Sequence, residues 1–209
     1  MEFALLFLPL LASITSGFFG KYIGDRKSEI VTSLFVSISA LLSLIIFYQV
    51  IVNGYENNVV IATWINSGTL DVNWSIKVDA LSSVMLVVVT LVSSLVHIYS
   101  IGYMSHDPHK PRFMAYLSLF TFAMLTLVTS DNFLQLFFGW EGVGLCSYFL
   151  IGFWFKKDSA NAAAIKAFVV NRVGDFGFAL GIFLIFYLFG TVNYSEVFQQ
   201  IPQIVDKEL

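Results

Sequence analysis

Charged residues are scarce in this 209-residue chain: Asp, Glu, Lys and Arg together make up only 12% of it. Soluble domains carry about 25%. Hydrophobic residues reach 57% and the mean hydropathy is +0.80, which excludes a soluble globular domain and predicts a chain whose main surroundings are a lipid bilayer. The net charge of −3 comes without a basic patch, so nucleic acid is not an expected partner.

Cysteine is almost missing as well. A single cysteine, Cys146, excludes an intramolecular disulfide and a cysteine-based metal cluster, and we interpret it as a small apolar residue at a helix interface. The sequence contains no phosphate loop, dinucleotide fingerprint, haem motif or nucleophile triad. Two histidines, His106 and His109, have only Asp107 as a nearby hard ligand, so no metal site is predicted.

Six apolar runs are long enough to cross a bilayer, for which about 17 to 20 residues are needed. They cover residues 3–20, 30–52, 78–104, 112–130, 132–155 and 165–190. The first run lacks a basic start and a small-residue cleavage site, so we interpret it as a spanning helix rather than a cleaved signal.

Between the second and third runs, the chain alternates apolar and polar residues in VVIATWI and VNWSIKV, which are separated by Asn66, Ser67 and Gly68. This pattern predicts a short β-hairpin. The hairpin should lie outside the hydrocarbon, where its edges can be hydrated. We therefore expect an all-α polytopic membrane protein of about six transmembrane helices, with a short hairpin on the outer side.

Three segments follow from these spans. They are residues 1–104 with helices 1 to 3 and the outer hairpin (about 56–78), residues 112–190 with helices 4 to 6, and residues 191–209. The last segment is too polar to span. Ser195 is predicted to cap a short amphipathic helix there, carrying Val197, Phe198 and Ile201 along the outer surface.

The orientation follows from the distribution of lysine and arginine. With the N-terminus outside, the inner loops hold eight basic residues and the outer segments only Lys77 and Lys207. The eight are Lys21, Arg26, Lys27, Lys110, Arg112, Lys156, Lys157 and Lys166. The positive-inside rule therefore predicts that the N-terminus lies on the outer side.

Few ionisable residues lie inside the spans, and each costs about 2.5–3.5 kcal/mol at a helix centre. Glu141 is nine residues into the fifth span, roughly 13 Å deep. Several small residues surround it and would let other helices approach: Gly139, Gly142, Gly144, Cys146 and Ser147. We interpret Glu141 as a proton-exchanging carboxylate, with a structural glutamate satisfied by a neighbouring helix as the alternative.

The sixth span carries Arg172 and Asp175, which share a helix face at a spacing of three and can pair; Asn171 extends this polar stripe. A proton-transfer role and a purely structural ion pair both remain open. Three glycines on roughly the opposite side are expected to pack closely against another helix: Gly174, Gly177 and Gly181.

Two further residues are candidate relay groups. His97, near the inner end of the third span, is either a relay member or an interfacial residue, and we favour the interfacial interpretation. Lys166, at the inner start of the sixth span, is the second candidate.

The motifs GWEGVGLCSY and NRVGDFG, with the hairpin and the spans, closely resemble chain 5 (chain L in bacteria) of NADH:quinone oxidoreductase, respiratory complex I. The resemblance covers essentially all 209 residues. It implies a distal, proton-translocating membrane subunit built from inverted helical repeats, the first of which starts in residues 112–190. It also implies that no cofactor binds in this chain, while the complex uses NADH, FMN, iron–sulfur clusters and quinone.

By the same resemblance, Glu141 matches the family's central glutamate, and Arg172 and Asp175 match its charged pair. The glutamate's partner in the family is a lysine on a seventh helix, which this sequence does not contain. We therefore expect an N-terminal fragment or a split half. The implied partners are the other complex I membrane subunits, notably the adjacent antiporter-like chain, and a chain supplying the C-terminal half if the subunit is split.

Two other functions stay open. One is a subunit of a multisubunit sodium/proton antiporter, a group that shares the central glutamate but differs around it. The other is a non-pumping half-subunit that scaffolds helices. The expected location is the mitochondrial inner membrane or the bacterial cytoplasmic membrane.

Overall fold

The computed structural model describes the backbone of residues 1–208 and the side chains of residues 1–202. It contains seven helices and one two-stranded sheet: α1 (Glu2–Ile23), α2 (Asp25–Asn53), β1 (Asn57–Ser67), β2 (Leu70–Val78), α3 (Ala80–Tyr103), α4 (Lys110–Val128), α5 (Phe133–Ile151), α6 (Asp158–Phe189) and α7 (Tyr194–Glu208). The first six helices are long and apolar enough to cross a membrane. The predicted fold class, an all-α multi-pass membrane protein with a small hairpin, is confirmed.

Helices α1 to α4 form the packed part of the bundle. Helix α1 packs against α2 and α4, α3 packs against α2 and α4, and α5 joins the bundle through α4. Helix α6 contacts mainly α5. A cluster of buried aliphatic side chains fills the end of this bundle next to the hairpin: Leu5, Leu6, Ile46, Val50, Ile76, Val78, Leu86 and Leu125.

Neutral polar pairs tie the packed helices together. Ser37 and Ser94 join α2 to α3 at 2.8 Å between their hydroxyl oxygens, and Ser43 with Thr90 repeats this contact at 2.7 Å. Buried polar groups in an apolar setting need such partners, because an unpaired one costs about 1–3 kcal/mol. The hydroxyl pairs therefore fix the helix register without placing a charge in the membrane.

The hairpin is tighter than predicted. Asn66 and Ser67 are not in the turn but belong to β1, where Asn66 pairs with Asp71 and Ser67 with Leu70. The chain reverses over Gly68 and Thr69, and Gly68 has a φ of +60°. Glycine adopts this left-handed conformation without steric cost, so two residues suffice for the turn.

The hairpin is fastened to the start of α5. The side chain of Gln135 accepts from the Ser75 amide (3.0 Å) and donates to the Ser75 carbonyl (2.7 Å). Asn132 donates to the carbonyl of Asn73 at 2.9 Å, and its Oδ1 caps α5 by accepting from the Gln135 amide at 2.8 Å. An ion pair of Lys77 with Asp131 adds a 3.0 Å contact. These bonds set where α5 begins, and hence the depth of Glu141.

The predicted helix at the end of the chain is present as α7. It begins at Tyr194, so Ser195 lies inside the helix and the predicted cap is wrong. Val197 is buried, whereas Phe198 and Ile201 are exposed. The start of α7 is held because the Tyr194 amide donates to the Asp131 carbonyl at 3.2 Å and the Tyr194 hydroxyl lies 3.1 Å from that of Ser130. Burial raises the pKa of the Tyr194 phenol.

Candidate functional site

Glu141 is the ninth residue of α5 and lies mid-helix, as expected. Its carboxylate forms an ion pair with Arg172 of α6, through Oε2 and Nη1. Glu141 is 21% exposed and Arg172 is 40% exposed within this chain. The sequence predicted both residues as membrane charges, but it did not predict this contact between neighbouring helices.

Arg172 also reaches the second predicted carboxylate. Its Nη1 lies 3.6 Å from Oδ2 of Asp175, so the predicted pairing at a spacing of three on α6 is present. The other oxygen of Asp175, Oδ1, accepts from the indole nitrogen of Trp140 at 2.8 Å. One guanidinium therefore serves two carboxylates, and the cluster carries one formal negative charge.

The guanidinium is further stabilised by an aromatic ring. The Cζ atom of Arg172 lies 4.5 Å from the centroid of the Phe168 ring, one turn earlier on α6. Arginine stays protonated in proteins, so the cation is permanent and the carboxylates are the groups that can change charge. Phe168 and Trp140 were not predicted as site residues; the signal for Trp140 was its position next to Glu141.

Small residues bring α4 close to α5 beside Glu141, as expected. A Cβ atom on Gly139 would lie 2.7 Å from backbone atoms of Leu127, and one on Gly142 would lie 3.1 Å from the Cβ of Ala123. Cys146 is buried, as predicted for a small apolar residue. Gly144 has no such neighbour within 4 Å, because that side of α5 faces a cavity.

This cavity, of about 310 Å³, gives access to Asp175. Its lining residues come from α4, α5 and α6: Phe120, Trp140, Val143, Gly144, Ser147, Asn171 and Asp175. The predicted polar stripe of Asn171 and Asp175 therefore faces a common space. Polar lining of this kind can hold water next to an ionisable group in a membrane protein.

The expected close contact at the α6 glycines is not found in the described residues. A Cβ atom would have no neighbour within 4 Å at any of the three positions, Gly174, Gly177 and Gly181. The reason is that α6 contacts α5 through its other side, where Asp175 and Ile182 are buried.

His97 lies in the core rather than at an interface with lipid headgroups, so the favoured interfacial interpretation is wrong. The ring is fully buried; Nδ1 donates to the Ser93 carbonyl at 2.8 Å, and Nε2 lies 3.0 Å from the Ser118 hydroxyl. The described contacts join His97 to α3 and α4, not to Glu141. Lys166 is exposed on the first half of α6, and its relay role stays a prediction.

Two further buried carboxylates lie outside the site. Glu2 accepts hydrogen bonds from Tyr55 (2.5 Å) and Asn57 (3.1 Å). Glu29, near the start of α2, is buried with one oxygen unbonded. Within the part of the chain that the structure describes, no cluster of three or more His, Cys, Asp or Glu residues is arranged to hold a metal ion.

Comparison with known proteins matches two segments of the chain to related families. Residues 64–114 match the family described as NADH-ubiquinone oxidoreductase (complex I), chain 5 N-terminus. Residues 130–208 match the transmembrane family of NADH:quinone oxidoreductase and Mrp antiporters. The second match contains Glu141, Arg172 and Asp175.

Curated relatives are highly similar over nearly all of this chain. NADH-ubiquinone oxidoreductase chain 5 of Triticum aestivum is 58% identical over 198 residues, covering 95% of this chain and 30% of the relative. NADH-quinone oxidoreductase subunit L of Rickettsia bellii is 51% identical over 205 residues, covering 98% and 32%. The chain thus spans about a third of the length of these relatives.

Solved structures share the fold at low identity. A chain of the membrane-bound sulfane sulfur reductase, an archaeal respiratory membrane complex, superposes with a TM-score of 0.80 at 19% identity, covering 94% of this chain and 39% of that one. A chain of the Mrp complex from Dietzia sp. gives a TM-score of 0.78 at 21% identity, covering 94% and 20%.

Six membrane-spanning helices, with the match of residues 130–208 to the transmembrane family of NADH:quinone oxidoreductase and Mrp antiporters, place the chain in the class of antiporter-like membrane subunits. The family matches and the curated relatives narrow this class. The chain belongs to the family of complex I chain 5, called subunit L in bacteria, and corresponds to part of its N-terminal region.

Proposed function

We propose that this chain takes part in proton translocation by an NADH:quinone oxidoreductase, which couples electron transfer from NADH to quinone to proton pumping. Glu141 is the proton-exchanging group. The observation that carries the proposal is the sharing of Arg172 between Glu141 and Asp175 inside the membrane-spanning helices. Membership of the chain 5 family supports the same function.

The formal charge of the cluster explains how a proton can be taken up. Two carboxylates and one guanidinium leave one negative charge in a poorly hydrated setting, where charge is costly. Either a proton or a further cation neutralises it. The resemblance implies that this cation is a lysine of the complete subunit, so its approach would compete with the proton on Glu141.

Within this chain, Arg172 determines which of the two carboxylates is paired with a cation. Its Nη1 contacts Glu141 and lies 3.6 Å from Asp175, so a small shift of the side chain changes which carboxylate is paired. Unit charges about 4 Å apart interact by about 4 kcal/mol at an effective dielectric constant of about 20. A shift of Arg172 towards Asp175 would therefore favour protonation of Glu141, and its return would favour release.

The setting of this chemistry is also part of the proposal. The positive-inside distribution supports an N-terminus on the outer side of a mitochondrial inner membrane or a bacterial cytoplasmic membrane. The proposed partners are other complex I membrane subunits, notably the adjacent antiporter-like chain. Redox chemistry, with NADH, FMN, iron–sulfur clusters and quinone, belongs to those other subunits.

Glu141→Gln in the complete complex tests the proposal. The variant keeps the size of the side chain and a hydrogen-bond acceptor for Arg172, but it cannot exchange a proton. We expect proton pumping per NADH oxidised, measured in sealed vesicles, to fall strongly. Glu29→Gln is the matched control, because Glu29 is also a buried glutamate in a spanning helix but has no cation partner among the described residues. Normal pumping in Glu141→Gln would refute the proposal.

A sodium/proton antiporter subunit is the second candidate, since residues 130–208 match a family that includes Mrp antiporters. The same vesicles separate the two functions. Complex I function requires NADH-driven pumping that does not depend on sodium, whereas antiport requires proton movement driven by a sodium gradient without NADH.

A further inference from the structure

A second cavity lies at the end of the bundle remote from the hairpin. It measures about 440 Å³ and opens between the start of α4, the end of α5 and the first turns of α6. Half of its lining residues are aromatic: Tyr116, Tyr148, Phe149, Phe153 and Phe155. Arg112 and Asn161 are the polar side chains that join them. This cavity is separate from the one beside Asp175.

Arg112 has no carboxylate partner in this cavity. Among the described residues it forms no ion pair within 4.0 Å, and its one side-chain hydrogen bond runs from Nη2 to the Phe153 carbonyl at 3.1 Å. Its Nε is buried without a partner. The guanidinium lies over two rings, with Cζ at 4.6 Å from the Phe153 centroid and 5.1 Å from that of Phe155. A permanent cation held this way favours an anion beside it.

The surroundings are positively charged. Residues 104–112 and 151–166 hold five basic side chains against two acidic ones, a formal surplus of three. The five are Lys110, Arg112, Lys156, Lys157 and Lys166. Basic pockets between membrane helices at such an end are typical of sites for anionic lipid headgroups.

The depth of the cavity matches the boundary of a bilayer. Arg112 is the third residue of α4, and the loop between α5 and α6 closes the other side. At the mouth, Phe155 and Ile165 are exposed apolar side chains, and the exposed Val169 continues this surface one turn along α6. An acyl chain could follow this surface into the hydrocarbon while the headgroup stays at the cavity.

We propose that this cavity binds the phosphate group of an anionic membrane lipid. Arg112 pairs with the phosphate, the aromatic rings enclose the glycerol region, and the acyl chains run along the start of α6. The site shares no residue with the ion network at Glu141, so a failure of the proposed function would not refute lipid binding here, and the reverse also holds.

Lipid titration of the purified full chain in detergent tests this. Binding is measured by native mass spectrometry and by the rise in thermal unfolding temperature, with dioleoylphosphatidylglycerol as the probe. Dioleoylphosphatidylcholine has the same acyl chains without net charge, and inorganic phosphate has the charge without the chains. We expect the anionic lipid to bind tightest and to raise the unfolding temperature most. Equal binding of both lipids, or the same stabilisation by phosphate alone, would overturn the proposal.

Arg112→Gln should weaken binding of the anionic lipid by about tenfold, because a charge-assisted hydrogen bond is lost. Arg26→Gln is the matched control: Arg26 is an exposed arginine at the same end of the bundle, next to α1 rather than at the cavity. Equal loss in both variants would show that only general surface charge matters, and would contradict a specific site.

A second variant leaves Arg112 in place, since loss of its bond to Phe153 could disturb folding. Ile165→Trp adds bulk at the exposed mouth of the cavity, and Leu184→Trp adds the same bulk on the exposed surface of α6 near its opposite end, away from the cavity and from the proposed acyl path. We expect Ile165→Trp to weaken lipid binding several-fold with an unchanged unfolding temperature in lipid-free detergent, and Leu184→Trp to bind normally. Normal binding by Ile165→Trp would place the lipid elsewhere and refute the proposal.

Discussion

In their middle sections, helices α1 to α4 and the pair α5–α6 accommodate buried polar side chains in opposite ways. The packed helices pair neutral groups, such as Ser43 with Thr90 and His97 with Ser118, over short distances. The middle of the α5–α6 pair instead holds a cluster of three charged side chains, Glu141, Arg172 and Asp175, and has little protein of this chain around it. In the central apolar window of α1, 39% of residues are buried within this chain, against 11% in α6.

Under the proposed function, this difference separates the helices that serve as scaffold from those that carry the site. A neutral hydrogen-bonded pair is satisfied locally and needs neither water nor a proton, so it stabilises helix packing and does not respond to its surroundings. A cluster with one excess negative charge is stabilised only when a proton, a cation or water comes near. The cavity beside Asp175 is a place where these can approach.

The contact between α4 and α5 connects the two regions, and we expect the stability of the chain to be most sensitive to mutation there. A Cβ atom on Gly139 would meet the backbone of Leu127 at 2.7 Å, so Gly139→Ala must push α5 away from α4. We expect a loss of about 1–3 kcal/mol or more in the free energy of unfolding, measured by denaturant titration in micelles and followed by circular dichroism.

Gly144→Ala is the control for this prediction, since it is the same substitution on the same helix with nothing within 4 Å. It should leave stability unchanged or raise it by up to about 1 kcal/mol through helix propensity. Equal effects of the two alanines would mean that α4 and α5 do not approach as closely as described.

His97→Leu should have a smaller effect, confined to the packed region. The change removes the bonds to the Ser93 carbonyl and the Ser118 hydroxyl, and we expect a loss of about 1–2 kcal/mol of unfolding free energy. NADH-linked pumping in the complete complex should persist. His106→Leu, at an exposed loop histidine, should alter neither quantity.

This prediction also decides whether His97 is a structural residue of the core or a member of a proton relay. Loss of pumping in His97→Leu at normal stability would restore the relay interpretation and place a functional proton path in the packed helices. The contrast between the two regions would then no longer hold.

Local patterns were enough to predict the spans, the hairpin and the charged residues. The spans follow from runs of apolar residues, and the hairpin follows from the alternation of apolar and polar residues over residues 57–78. Both patterns depend only on neighbours in sequence, and both predictions are confirmed. The turn was predicted too long because strand pairing decides which of Asn66, Ser67 and Gly68 can still bond across the hairpin. Glu141 and the Arg172–Asp175 spacing were visible because charges are rare in such helices.

Contacts between helices could not be predicted from such local sequence patterns. The pairing of Glu141 with Arg172 depends on the rotation of α5 relative to α6, and the burial of His97 depends on how α4 covers α3. Trp140 was recognisable only as an aromatic residue next to Glu141. The glycines of α6 predicted a close helix contact that is not found among the described residues, because α6 meets α5 through its other side.

The central claim, that Glu141 exchanges a proton under the control of Arg172, is tested most directly by infrared difference spectroscopy of the complete complex during a pH step. The account predicts a carboxyl band that responds to the pH step in the wild type, is absent in Glu141→Gln, and is altered in Arg172→Gln, because the carboxylate there has lost the cation that pairs with it. An unchanged band in Glu141→Gln would contradict it.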